Sequence, residues 1–477
     1  MSVQLIFKLM TDCSLLAYSA ARQAALIRRK EVSSRELVAA HLERIAAVDA
    51  RLNAAVEVLE ERALEQADAA DAALARGEAV GPLHGVPFSV KDSIEVAGTV
   101  CSAGTLGRKN AAPSAKDAAL VARLRGAGAI PIARTNLPDL LFAFESDNLI
   151  FGRTNNPYGL DRTSGGSSGG EAALIAACGS PLGFGSDAAG SVRLPAAFCG
   201  ITAIKPTSGR LPRTGHFPPA GGWIEALWQI GPMARRVEDL IAVMPLLAPP
   251  DGRDATAVGM PTLDPGAVSL RDLRVAFYTD NGFAPARPEV ARVVREAARR
   301  LEPEVDCVVE SRPACMADAY DLEMKLIGPD GGDSLREYAA ALGSGRLHPL
   351  LTGWLDKLEV YRTDLAGFAR YWAQWDAYRA EMRAFLRRYE VILAPAYTQA
   401  ALPHGASILD QNFRGFSHTM AFNVAGWPAS VVRCGESADG LPIAVQVAAA
   451  PWREDRVLAV ALALEQMLGG WKPAAGM

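Results

Sequence analysis

Cysteine pairs, metal-ligand spacings and long apolar runs are all missing from this chain. Its seven cysteines (Cys13, Cys101, Cys178, Cys199, Cys307, Cys315 and Cys434) include no C-x-x-C pair, and no H-E-x-x-H occurs. Neither a zinc site nor a dithiol redox centre is indicated, and no metal or cofactor is expected. An odd, scattered set argues for a reducing compartment. Cys178 and Cys199 fall in apolar runs and read as small core residues. No uninterrupted apolar stretch approaches the ~18 residues of a membrane span. The start, MSVQLIFKLMTD, has a short apolar patch without a basic n-region or a small-residue cleavage site. The expectation is a cytoplasmic protein that is not integral to a membrane. A net charge of -4 predicts no general affinity for nucleic acid. Internal repeats and low-complexity tracts are absent too.

Half of the 477 residues are hydrophobic and a fifth are charged, enough for one large α/β domain or two to three smaller ones. The informative stretch is Gly165–Pro195, GGSSGGEAALIAACGSPLGFGSDAAGSVRLP. Two serine-bearing glycine turns flank a short apolar, helix-like run, Glu171–Cys178. Glycines there allow positive φ and a close backbone approach to a ligand. Consecutive N–H groups in such a turn can hold an oxyanion, as acyl transfer requires. A linker would not be set in apolar sequence, and a Walker phosphate cradle would carry Lys where Glu171 stands. Gly165-Gly166-Ser167-Ser168-Gly169 also fits a G-x-S-x-G nucleophile elbow, which needs a downstream histidine. The candidates are His216, His348, His404 and His418. None lies in a Gly-rich or strand-end context, so the elbow stands as the lesser alternative.

Along the chain, residues 12 to about 78 read as helical, with a capping box at Ser33–Glu36 followed by Leu37, Val38, His41, Leu42, Ile45 and Val48 near helical spacing. His41 on that stripe reads as packed. Phe88-Ser89-Val90 is a short apolar strand ending at Lys91-Asp92, and a lysine at the end of a buried strand is unusual. A helix over 117–128 and a strand over 129–134 follow. Strand, helix, strand marks a doubly wound α/β architecture. Further strands are read at 199–204, 391–396 and 443–447, a loop then a helix over 231–247, and a closing helix at 455–468. Proline-rich segments near 249–250, 261–265 and 285–288 bound an insert that runs to about 420. It is helical and aromatic (Trp354, Tyr361, Phe368, Tyr371, Trp372, Trp375, Tyr378), a pattern more typical of core than of a cofactor site.

Lys91, the GGSSGG cluster and the GSDAAGS turn together resemble the amidase signature family. The likeness covers residues 35–465 and includes Gly85–Asp92, Thr135-Asn136, Phe151-Gly152, Gly200-Ile201, Lys205-Pro206-Thr207, Gly231–Arg235 and Gly426-Trp427-Pro428. Gly170–Ile175 and Cys199-Gly200-Ile201 are most similar to the fatty-acid amide hydrolase and bacterial amidase branch. The resemblance implies an α/β fold, a single large domain with a twisted mixed β-sheet covered by helices on both faces. The expected organisation is an N-terminal helical segment, 1–60, then an amidase signature domain, 61–470, with the helical, aromatic-rich insert at about 285–420.

It also implies a Ser–Ser–Lys triad of Ser191 as nucleophile, Ser167 after a cis peptide bond with Gly166, and Lys91 as base. Backbone N–H groups of Ala188, Ala189, Gly190 and Ser191 would form the oxyanion hole, and Leu141 would meet the substrate amide. Ala189 departs from the glycine most members carry, which puts substrate range in doubt. Asp187 and Arg193 are expected to pair and brace the turn. Lysine serves as a base near pH 7 only if burial lowers its pKa from about 10.4, so Asp92 should point away from it. The implied reaction is hydrolysis of a small-molecule amide, with Leu141, Phe142, Phe144, Trp223 and the aromatic insert favouring an apolar or aryl group. The alternative is the amidase subunit of a tRNA-dependent amidotransferase. The N-terminal helices could serve a homodimer.

Overall fold

The computed structural model describes residues 13–219 and 221–477, so the apolar patch at 1–12 lies outside the described residues. An eleven-stranded sheet runs through the centre. Its strands are β1 (Ala55–Val58), β2 (Pro87–Lys91), β3 (Ile130–Thr135), β4 (Leu182–Asp187), β5 (Thr202–Lys205), β6 (Gln229–Ala234), β7 (Arg274–Phe277), β8 (Cys307–Glu310), β9 (Val391–Pro395), β10 (Ala429–Glu436) and β11 (Pro442–Ala449). Their spatial order is β1-β3-β2-β4-β6-β5-β10-β11-β9-β7-β8. β2 is parallel to β3 and β4, and β7 to β8 and β9. The other neighbours are antiparallel, so the sheet is mixed.

Both faces are covered, which the strand sequences explain through the period-two alternation of side chains. Val391 and Leu393 join one hydrophobic cluster while Ile392 and Ala394 join another on the opposite face. Ile443, Val445, Val447 and Ala449 repeat the pattern against Ala444 and Ala448. Helices Val237–Leu247, Pro288–Leu301 and Glu454–Leu468 pack on the first face. Ser34–Leu52, Gly169–Ala176, Ala319–Ile327, Leu365–Phe385 and Ser417–Val424 pack on the second. Each large aliphatic side chain so buried stabilises the fold by about 1.5–3 kcal/mol. Among the described residues no helix is long and apolar enough to cross a membrane.

Helix Ser34–Leu52 starts at the anticipated capping box: the Ser33 hydroxyl accepts from the Glu36 amide at 3.0 Å and Glu36 accepts from the Ser33 amide at 2.8 Å. His41 is fully buried and bonded to Gln23 and the Cys178 carbonyl. Three readings are corrected. Ala55–Val58, inside the stretch read as helical, is a short strand pairing with the edge of β3. The segment near 285–420 is helical and aromatic, and besides the strand read at 391–396 it holds β8, which was not anticipated. Residues 229–234, read in part as loop, form β6. In the helical segment, Trp375 donates to the Val424 carbonyl at 2.7 Å and Tyr378 to Ala421 at 3.2 Å, so both are core.

Candidate active site

Parallel neighbours finish at the same edge of a sheet, and open α/β sheets bind ligands beyond their carboxyl ends. Lys91 is the last residue of β2, and Ser186 and Asp187 are the last of β4. Ser167 lies in the turn that enters helix Gly169–Ala176, after a cis bond from Gly166. A Cβ on Gly166 would come within 2.6 Å of the Glu145 amide nitrogen, so the turn is pressed against its neighbour. The two serine turns are tied together by the Ser168 amide, which donates to the Ser191 carbonyl at 3.1 Å.

Lys91 is fully buried. Its Nζ stands 2.6 Å from Ser167 Oγ and 3.2 Å from Ser186 Oγ. Burial pushes the amine well below the ordinary lysine range, against the opposing pull of Asp187 and Glu171. Glu171 itself is raised to about 7 by burial, while accepting hydrogen bonds from Ser89 and Thr135. Asp92 turns away from the amine: it pairs with Arg134 at 2.8 Å and accepts from the Ser102 amide at 3.1 Å. A lysine whose pKa burial lowers, in contact with a serine hydroxyl, has the geometry a base would need.

The Ser191 turn hangs on Asp187. Burial alone would raise that carboxyl, but Arg193 and Asn423 hold it well below the usual range. Arg193 grips it through Nε and Nη2, each at 2.9 Å, and reaches on to the Thr419 carbonyl and Gln446. This is the anticipated brace. Gly190 has φ +124°, and a Cβ there would meet Thr419 Oγ1 at 2.3 Å, so only glycine fits. Its amide, expected to help hold an oxyanion, instead donates to Asp187 at 2.8 Å. The amides of Ala188, Ala189 and Ser191 have no acceptor among the described residues. The same is true of the Ser191 hydroxyl, which makes no hydrogen bond to Ser167.

Residues 36–458 match the family described as Amidase. The chain belongs to the amidase signature family. It is similar to the human protein named fatty-acid amide hydrolase 2, at 33% identity over 96% of this chain and 90% of that one. It is also similar to a glutamyl-tRNA(Gln) amidotransferase subunit of Moorella thermoacetica, at 34% identity over 92% and 94% of the two chains. Among solved structures, a 6-aminohexanoate cyclic dimer hydrolase in complex with substrate superposes with a TM-score of 0.84, at 27% identity, covering 95% of this chain and 98% of that one. As a member of this amidase family, the chain is a hydrolase of carbon–nitrogen amide bonds.

In this amidase the serine turns open onto a cavity with about 860 Å³ of free space, part of it continuous with solvent. Ser167, Ser186, Ala188, Ala189, Ser191 and Leu141 all line it. Leu140 and Leu141 both take positive φ, 49° and 69°, rare for leucine and the kind of backbone held at ligand sites. Phe142, Phe144 and, from the aromatic segment, Trp354 complete much of the apolar wall. Trp223 does not: it is 39% exposed and packs on Phe368 outside the cavity, a second correction to the expected pocket.

The elbow alternative also falls. His348 sits near Asp147, His404 bonds the Leu160 carbonyl and His418 the Ala284 carbonyl. His216 does reach the cavity, but its Nε2 meets Ser186 Oγ at 3.0 Å and Ser93 Oγ at 3.2 Å, not Ser167. Sequence reasoning considered His216 only as an elbow partner and set it aside, and it gave Ser186 no role of its own. The available signal was the Ser before Asp187, since a strand-end serine beside Asp187 shares the edge where Lys91 ends.

Proposed function

We propose that this amidase hydrolyses an apolar or aryl carboxylic amide to an acid and an amine or ammonia through an acyl-enzyme on Ser191. The observation that carries the reading is the 2.6 Å contact between Ser167 and a buried Lys91 whose pKa burial lowers, beside a cavity that Ser191 lines. Lys91 takes the Ser167 proton while Ser167 takes that of Ser191, whose oxygen attacks the carbonyl. The amides of Ala188, Ala189 and Ser191 receive the negative charge that develops on the carbonyl oxygen. The same hydroxyl returns the proton to the departing nitrogen, which an amide requires before it leaves. Water then repeats the attack on the ester and frees the acid. The Ser191–Ser167 hydrogen bond forms as substrate settles, because such contacts tighten only in the complex.

The wall supports the substrate class. Asp187 is the one charged residue lining the cavity among the described residues, and Arg193 already neutralises it. Free glutamine would bring an α-carboxylate that finds no basic partner among the lining residues, at a cost of several kcal/mol once buried. This disfavours the amidotransferase reading; glutaminase activity in the isolated chain, with an assembly partner on size exclusion, would restore it. The six cysteines with described side chains are unbonded, which supports a reducing compartment, and we assign the cytoplasm.

Ser191→Ala tests the assignment. The variant should keep the far-UV spectrum and unfolding temperature of the wild type, lose hydrolysis of medium-chain acyl p-nitroanilides, and escape labelling by a fluorophosphonate. Hydrolysis by an unlabelled Ser191→Ala protein removes the serine from the chemistry.

A further inference from the structure

His216 shares the site wall but has no part in the proton path just described. Its Nδ1 lies 2.9 Å from the Pro218 carbonyl, which can only accept, so Nδ1 carries the hydrogen. Burial holds the imidazole at about 3, with the Arg213 charge also opposing its protonation, so the ring is neutral and Nε2 presents a lone pair. Trp228 packs against the ring, with centroids 4.6 Å apart and planes tilted by 45°. The histidine is also pinned along the chain, by a bridge to Ile94 and by the Phe217 amide bonding the Ser93 carbonyl at 2.7 Å.

Ser186 Oγ has two polar partners, His216 Nε2 at 3.0 Å and Lys91 Nζ at 3.2 Å. Its single hydrogen can go to only one of them. Directed to Lys91, it would occupy the amine lone pair that must receive the Ser167 proton. Directed to His216, it leaves the Ser186 oxygen to accept an N–H from Lys91. We propose that His216 is a positioning residue: by accepting from Ser186 it orients the hydrogen bonds around Lys91 so that the amine lone pair is reserved for Ser167. Every bond then points one way, from Ser167 through Lys91, Ser186 and His216 to the Pro218 carbonyl. Ser93 Oγ lies 3.2 Å from the same Nε2, so two hydroxyls share its one lone pair, and Ser186 at 3.0 Å is the nearer donor. The same chain favours the ammonium that Lys91 becomes, since Ser186 already faces it as an acceptor. The charged and titratable groups around this pair are Asp187 and Glu171, which face Lys91, and Arg213, which faces His216.

The inference rests on the lysine-base reading, and a double-mutant cycle separates the two. His216→Phe keeps a ring against Trp228 and removes both nitrogens. Its kcat on an acyl p-nitroanilide should fall about tenfold or more, short of the ~10²–10⁴-fold that losing a general base costs, with KM within about threefold. Freed from His216, Ser186 can donate to the neutral amine, so the acid limb of the kcat/KM profile should move to lower pH. In a Ser186→Ala background the same histidine change should alter kcat less than twofold, because the hydroxyl through which it acts is gone. Ser186→Thr should recover most of the rate lost on Ser186→Ala. Additive losses, or an acid limb that stays in place in His216→Phe, overturn the positioning role. Should His216→Phe fail to fold, Ser186→Ala carries the test alone, and an unmoved limb there is equally fatal. A wild type with no acid limb at all sinks the lysine base instead.

Discussion

The amine of Lys91 touches two hydroxyls, Ser167 at 2.6 Å and Ser186 at 3.2 Å, and forms no ion pair among the described residues. A base of this kind works in its uncharged form, and burial has already moved its titration well below 10.5. The rate should therefore rise with pH through one limb and level off, with an apparent pKa far under that of free lysine. Lys91→Ala should lose more than about a hundredfold in kcat/KM and lose the limb as well. A wild-type profile flat from pH 5 to 9 would disprove a lysine base.

The same burial makes Lys91 a burden on stability. In the unfolded chain the amine holds its proton up to about 10.5, whereas in the fold it releases it at much lower pH. The unfolded state binds the extra proton between those limits, so stability rises with pH across that window and is lowest below it. Lys91→Met keeps a similar volume without that penalty. It should raise the unfolding temperature at pH 7 while abolishing activity, with the gain shrinking as pH nears 10. A destabilised Lys91→Met protein at pH 7 would refute the account.

Much of the site was legible because its chemistry is written in residue type and order. A lysine closing an apolar strand and two serine-bearing glycine turns mark unusual positions even without coordinates, and the same order of motifs carries the fold. What stayed hidden depends on packing across the sheet. Gly185–Asp187, read as the start of the GSDAAGS turn, instead ends β4: a Cβ on Gly183 would strike Glu171 Oε1 at 1.8 Å and one on Gly185 would meet Ser168 Oγ at 2.5 Å. Those glycines let a helix approach a strand. Nothing in its local context marks His216, whose role comes from a contact across 30 positions with Ser186. The loss of the Gly190 amide from the oxyanion donors follows from the Asp187 side chain folding back on its own turn, which spacing does not reveal.

The Asp187–Arg193 pair, both side chains fully buried, invites a stability test. Removing the guanidinium strands a carboxylate that also anchors the Gly190 and Val192 amides. Arg193→Met should cost about 3–5 kcal/mol, the usual penalty for breaking a buried pair from one side. The urea midpoint should fall at unchanged slope. Activity should fall with it, since the Ser191 turn loses its brace. A variant within about 1 kcal/mol of wild type would show that the turn holds without the pair.

Ala189 offers a handle on substrate range. It lines the cavity, is 5% exposed, and its carbonyl accepts from Thr419 Oγ1 at 2.7 Å. It is not among the positive-φ residues, so alanine sits there unstrained and glycine is tolerated rather than required. Ala189→Gly should leave the Thr419 bond in place and cost no more than about 1 kcal/mol, through the added freedom of the unfolded chain. What changes is room beside the attacked carbonyl, by one methyl group. Differences of one carbon in an apolar pocket shift kcat/KM by about 10- to 200-fold. Amides branched next to the carbonyl should therefore gain on linear ones in the variant, by at least severalfold, when the two p-nitroanilides compete in one assay. An unchanged ratio would mean that the Ala189 methyl faces away from the acyl group, leaving Phe142, Phe144 and Trp354 to set the acyl preference.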